Sequence, residues 1–252
     1  MATATMVYER DGHRYYRRWN KHQVAQHMLV VASFITLVAT GLPLRSSMHP
    51  ISRAIVGALG GADTAGVIHR VAAVVLMLGS AYHLLYLACQ WRAGHRHTTM
   101  WPAKKDVHDI LQMSKFFVGL TPDPPRFHKY GFIEKFEYWA MVWGTAAMVA
   151  TGFILWFPSF FIRILTPLSF DVAKVVHGYE AVLAALAIAV WHFYHAHWKP
   201  CVFPMSKVWL TGLMDEHELI THHPLEYERI LAEARRAAEE PPAETETDGR
   251  ES

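Results

Sequence analysis

Cysteine is scarce. Only Cys89 and Cys201 occur in 252 residues, near the ends of separate apolar stretches. They form no C-x-x-C pair and give no thiolate cluster or disulfide framework, so two free thiols without a chemical role are expected. No nucleotide-binding glycine pattern and no signature of a catalytic nucleophile is present, which assigns any substrate chemistry to another polypeptide. Charge is scarce as well. Asp, Glu, Lys and Arg make up 18% of the chain against 52% hydrophobic residues, an unusual balance for a soluble domain. With a net charge of only +2, nothing calls for a nucleic-acid partner.

Four stretches lack charge altogether: His22–Leu44 (23 residues), Val71–Trp91 (21), Tyr138–Ile162 (25) and Ala181–Trp198 (18, extended upstream by Val172, Val175 and Val176). About 20 apolar residues let a helix cross the hydrocarbon core. The expected fold is therefore all-α, an integral membrane four-helix bundle. The expected spans run from about His22 to Leu44 (ended by Gly41 and Pro43), Ala65 to Arg92, Phe132 to Phe157 and Phe170 to Trp198. The first apolar run is too long, and its flank too polar, for a cleavable signal.

Lys and Arg crowd into the N-terminal segment (five) and the 92–129 connection (seven), and Lys199 and Lys207 follow the last span. The short connections carry only Arg45 and Arg53, and Arg163. The excess of positive charge puts both termini and the long loop on the cytoplasmic side of a bacterial inner membrane. Three regions result: a cytoplasmic segment 1–21, a membrane domain 22–230 with a cytoplasmic loop 92–131, and an acidic tail 231–252 expected to be disordered. The loop is too long for a plain connector and is expected to fold over the cytoplasmic mouth.

Histidine is plentiful, with 17 residues, and several fall inside the spans. An imidazole in hydrocarbon is costly and marks a functional site by default. His69 and His83 lie 14 apart on span two, and His177 and His192 lie 15 apart on span four. At 1.5 Å per residue each pair covers ~21–22 Å with both members on one face. The two spans run in the same direction, so His69 and His177 share an outer depth and His83 and His192 an inner one. Bis-histidine haem ligation requires this matching, one imidazole on each face of the iron, and two layers ~20 Å apart would carry electrons across the bilayer. Small residues beside the ligands (Ala72, Ala73, Gly79, Gly178, Ala184) leave room for a macrocycle. Arg70 and Lys174 lie near the outer layer, where haem propionates need cations.

The inner layer stays open. His27 on span one joins His83 and His192, three histidines for two axial positions, and His195 and His197 lie close by. Two blander readings compete: a membrane histidine that merely bonds two helices together, and a His-rich metal transporter. Transport normally wants carboxylates beside the histidines, and only Glu180 qualifies.

The order of motifs resembles the cytochrome b (gamma) subunit of respiratory formate dehydrogenases and the related b-type cytochromes of nickel–iron hydrogenases and thiosulfate reductases. The likeness runs from about Lys21 to Ile230. It is carried by His27 ahead of Thr40-Gly41, by Leu59-Gly60-Gly61-Ala62-Asp63 leading to Ile68-His69, and by Glu134-Lys135 with Thr151-Gly152 on span three. His177, His192-Phe193-Tyr194 and the closing His222-His223-Pro224-Leu225-Glu226-Tyr227 complete it. The resemblance implies an outer haem on His69 and His177 and an inner haem on His27 and His192. His83 departs from that pattern; the spacing of spans two and four instead resembles the cytochrome b of quinol–cytochrome c oxidoreductases. The resemblance favours His27, leaving His83 near the quinone or on a third haem, while spacing favours His83.

The same resemblance implies menaquinone or ubiquinone exchange beside the inner haem. The family's lead-in to span three is replaced by Gly131-Phe132-Ile133-Glu134, which makes Glu134, Tyr130 and His195 the candidates for bonding the quinone, although Glu134 reads equally as a first-turn acid. The expected function is an electron-transfer subunit, not the catalytic one, of a respiratory hetero-oligomer. Two b haems would link a periplasmic iron–sulfur or multihaem cytochrome c partner to the quinone pool. A stand-alone quinol:cytochrome c oxidoreductase module is the alternative.

Overall fold

In a computed structural model, residues 7–10, 12–94, 98–200 and 202–239 are described. Cys201, His95, His97 and the last 13 positions lie outside them. The chain opens with a hairpin, β1 (Val7–Arg10) and β2 (His13–Arg17). Asn20 then starts α1 (Lys21–Arg45) through a capping box: its side chain accepts the Gln23 amide, and the Gln23 side chain accepts its own amide. A short α2 (Pro50–Ala58) leads through Gly60 and Gly61, both at positive φ, into α3 (Ala62–Arg92). After a 3₁₀ turn at Thr98–Met100 come α4 (Lys104–Phe117), α5 (Phe132–Trp156) and the single turn α6 (Pro158–Phe161). Next, α7 (Pro167–Leu186) continues as π-helical turns, Ala187–His192 and Tyr194–Trp198. The chain closes with α8 (Val208–Thr211), β3 (Leu213–Asp215), α9 (Glu216–His222) and α10 (Pro224–Glu239).

Among the described residues, four helices are long and apolar enough to cross a membrane: α1, α3, α5 and the continuous Pro167–Trp198. Helix α1 packs on α3, α5 on α7, and α1 also on α7. Their outer surfaces are apolar, with Leu78, Leu84, Leu85, Trp143 and Val190 all exposed. A lipid environment explains that exposure, and the backbone of each span bonds within itself as hydrocarbon demands.

One end of the bundle carries a cap. Strands β1, β2 and β3 form an antiparallel sheet in that order, with Tyr16 opposite Met214. Tyr16, Val208, Met214, Leu219 and Ile230 form a small core beneath it. Gly212 adopts φ 73° while its carbonyl accepts both the Arg18 and Trp19 amides, 2.9 and 3.0 Å away. A side chain there would run into the Trp19 carbonyl, so the turn needs glycine.

Two local expectations change. Helix α1 runs through Gly41 and Pro43 to Arg45, because a proline so near the C-terminus removes a single i→i−4 bond. The tail expected to lack structure from 231 is helical to Glu239, where Arg229 and Arg235 alternate with Glu226 and Glu233. The polar N-terminal segment, for which no secondary structure is expected or excluded, forms a hairpin paired with β3.

Candidate redox site: two histidine layers

At the end of the bundle away from the cap, His69 of α3 faces His177 of α7 with ring centres 6.4 Å apart. Each ring rests on a Thr-Gly pair from the adjacent helix. The Thr40 hydroxyl lies 2.9 Å from His69 Nδ1, and the Thr151 hydroxyl 3.0 Å from His177 Nδ1. Both hydroxyls donate to the carbonyl four residues back, Thr36 and Ala147, at 2.7 Å. A hydroxyl has one proton, so towards the imidazole it accepts. Nδ1 therefore carries the ring proton, and Nε2 keeps the lone pair that a metal needs. The glycines let the rings close in: a Cβ on Gly41 would stand 2.8 Å from His69 Cε1, and one on Gly152 3.3 Å from His177 Cε1.

At the capped end His27 of α1 faces His192 of α7, ring centres 6.5 Å apart. His192 Nδ1 lies 2.9 Å from Glu137 Oε2, so a carboxylate takes the role that threonine plays in the other layer. The other oxygen, Glu137 Oε1, is buried without a partner, as is His27 Nδ1. Thr40, which touches His69, is 13 residues beyond His27 on the same helix, which sets the layers ~20 Å apart.

Two nitrogen–metal bonds of about 2.0 Å, with about 1.1 Å from each nitrogen to its ring centre, would separate axial imidazoles by about 6.2 Å. Both pairs match that figure; glycine cradles and Nδ1 acceptors at His69 and His177, and the Glu137 acceptor at His192, suit axial ligation. The residues present fit a haem in each layer.

His83 does not join either pair. Its Nδ1 lies 2.9 Å from Gln26 Oε1 and its Nε2 3.1 Å from the Tyr138 hydroxyl, so both ring nitrogens are engaged. His195 bonds the Trp191 carbonyl of its own helix at 2.9 Å and stacks on that indole. His197 is nearer the layer. The π-helical i→i+5 bonding, visible in the Lys199 amide on the Tyr194 carbonyl, turns residues five apart towards one side. His197 and His27 both flank the Trp209 ring, and His197 Nδ1 and Trp209 Nε1 are buried without partners.

Arg70 and Lys174, expected near the outer layer, are both exposed, Lys174 only 3.9 Å from Asp171. Arg45, read from the sequence only as a charge in the connection after span one, also reaches this layer. Its Nη1 donates to the Gly178 carbonyl at 2.8 Å, and its guanidinium covers the Tyr179 ring at 4.4 Å.

Glu134 accepts the Gly131 amide at 3.0 Å and so caps α5, with His223 Nε2 3.6 Å from its other oxygen. Tyr130 lies under Arg18, and burial raises its hydroxyl pKa. Arg18 also bonds the Lys129 carbonyl and His223 Nε2. His223 donates from Nδ1 to the His128 carbonyl at 2.7 Å, and burial, then Arg18, lowers its pKa to about 2. These groups tie the cap to α5. Among the described residues no group of three or more His, Cys, Asp or Glu gathers as a metal site, and Cys89 is a free, exposed thiol.

Comparison with known proteins follows the same lines. Residues 18–205, which include all four long helices, match the sequence pattern of a family described as prokaryotic cytochrome b561. The cytochrome b556(fdo) subunit of formate dehydrogenase from Escherichia coli K12 is 23% identical over 223 residues, covering 88% of this chain and 96% of that protein. The cytochrome b556(Fdn) subunit of the nitrate-inducible formate dehydrogenase of the same strain is 26% identical over 140 residues, 55% of this chain and 62% of that protein.

Proposed function

Because the chain belongs to the prokaryotic cytochrome b561 family, we propose that it holds two b haems, one between His69 and His177 and one between His27 and His192. In this reading it is the membrane electron-transfer subunit of a respiratory hetero-oligomer. The observation that carries it is the spacing of the two histidine pairs, 6.4 and 6.5 Å between ring centres.

Held by these histidines, b haem would supply one-electron redox chemistry. The chain does the rest. Thr40, Thr151 and Glu137 fix the tautomer of three ligands by accepting the Nδ1 proton, and Gly41 and Gly152 let two of the rings lie against neighbouring helices. Apolar span surfaces keep water from the layers. Arg45, Arg70 and Lys174 supply positive charge at the His69–His177 end, which would suit haem propionates.

Positive charge around the cap supports an orientation with both termini in the cytoplasm of a bacterium and the His69–His177 layer towards the periplasm. The formate dehydrogenase subunits among its relatives support partner subunits in a hetero-oligomer; in this reading the redox partner is periplasmic and menaquinone or ubiquinone exchanges at the capped end. His83, Tyr130, Glu134 and His195 are the candidates for handling quinone there.

Single substitutions read by electron paramagnetic resonance and low-temperature difference spectra test the assignment. His27→Ala and His192→Ala should each remove the same low-spin haem, and His83→Ala should retain both. Loss of a haem in His83→Ala together with its retention in His27→Ala would overturn the capped-end pair.

A further inference from the structure

Helix α4 is amphipathic in the wrong sense for water. Its inward face is charged: Asp109 is 3% exposed and bonds Lys105, and Asp106 bonds Lys135 of α5 at 2.8 Å. Lys105 also donates to the Arg126 carbonyl and Gln112 to the Asp123 carbonyl, so the returning chain covers this face. The outward face carries Val107, Ile110, Leu111, Ser114 and Val118 at helical spacing, with Phe117 beside them 78% exposed. A soluble surface helix turns its apolar stripe in and its charges out. The reverse arrangement belongs where the surroundings are apolar.

The start of α4 is fastened at the depth of such surroundings. The Trp139 indole N–H donates to the Met100 carbonyl at 2.9 Å, and the Trp101 and Trp139 rings meet at 5.1 Å. Trp139 lies seven residues into α5, ~10 Å along that helix, where interfacial tryptophans sit. Lys104 and Lys115, both exposed, flank the outward stripe.

We propose that α4 lies in the plane of the membrane interface, with the Val107–Leu111–Val118 stripe in the acyl region and Lys104 and Lys115 among anionic phospholipid headgroups. The loop between α3 and α5 is thereby a lipid-bound collar beside the cap.

Spin labelling of the haem-loaded full chain tests this. In a Cys89→Ser, Cys201→Ser background, nitroxides are attached at Leu111→Cys, Val118→Cys, Leu85→Cys as a lipid-facing control and Arg236→Cys as a water-facing control. The chains are reconstituted in phosphatidylcholine vesicles with and without phosphatidylglycerol. An unchanged haem spectrum reports folding, and Ile110→Cys samples the same face should Leu111→Cys misfold. Labels on α4 should collide with oxygen severalfold more than with a nickel chelate, as at Leu85. Phosphatidylglycerol should deepen them, an effect lost in Lys104→Gln with Lys115→Gln. Nickel collisions equal to those at Arg236 would overturn the proposal, as would protection from both reagents, which means protein covers the face.

Discussion

A histidine that binds iron through Nε2 carries its proton on Nδ1, and the acceptor of that proton sets how much negative charge the ring lends the metal. Here the acceptors differ between layers: neutral hydroxyls of Thr40 and Thr151 at one end, the Glu137 carboxylate at the other. A carboxylate favours the oxidised iron. Glu137→Gln keeps a bonding atom and removes the charge, so it should raise the midpoint potential of the His27–His192 haem by roughly 60 mV, the equivalent of a tenfold change for one electron. The other haem should not move in the same potentiometric titration, whereas equal movement of both would point to a general structural effect. Gly41→Ala should displace His69, because its Cβ would stand 2.8 Å from the ring, and Gly152→Ala should do less to His177 at 3.3 Å. Overpacking of this kind costs about 1–3 kcal/mol, read as loss or broadening of one low-spin signal.

These residues were only partly legible. Thr40-Gly41 and Thr151-Gly152 stood out as motifs, but their partners are 29 and 26 positions away, so their acceptor role appears only when the helices pack. Glu137 sits just before a charge-free run and reads as a headgroup-level acid. Arg45 ends α1 and reads as an ordinary flanking cation. His83 shared the depth and spacing of a ligand, and only the contacts to Gln26 and Tyr138 separate it from His27.

At the scale of elements the spans were the most legible part, because in hydrocarbon a charge-free run of this length has few alternatives to a helix. The cap was the least. Its sheet joins Tyr16 to Met214 across most of the chain, and three- to five-residue strands leave little local pattern. Two cap histidines make it acid-sensitive. Burial first, then nearby cations, lowers His222 to about 4 and His223 to about 2, from an ordinary value of 6.5. Between pH 6.5 and about 4 an opened cap binds protons that the closed cap refuses, so closure weakens as pH falls, by at most about 1.4 kcal/mol per pH unit for each histidine. Hydrogen exchange of the Tyr16 and Met214 amides, corrected for intrinsic rate, should show protection lower at pH 5.5 than at 7.5. His223→Gln should flatten that slope, and a protection factor independent of pH in the unsubstituted protein would contradict it.

At the scale of the molecule, two helix pairs clasp each other through α1 and α7, and each layer of histidines draws a ligand from α7. His192 and His177 are therefore shared anchors, with α1 supplying one partner and α3 the other. With the haem proposed for each, the layers, ~20 Å apart along the helices, would make a two-station path for electrons across the bilayer, and the cap and α4 crowd the end where quinone is proposed to exchange. The number of stations is the central claim, and haem stoichiometry measures it directly. Pyridine haemochrome analysis of fully loaded, purified chain should give two b haems per polypeptide, falling to one in His177→Ala with the His27–His192 spectrum intact. A ratio of one or less in the unsubstituted protein, or two low-spin haems surviving in His177→Ala, would contradict it.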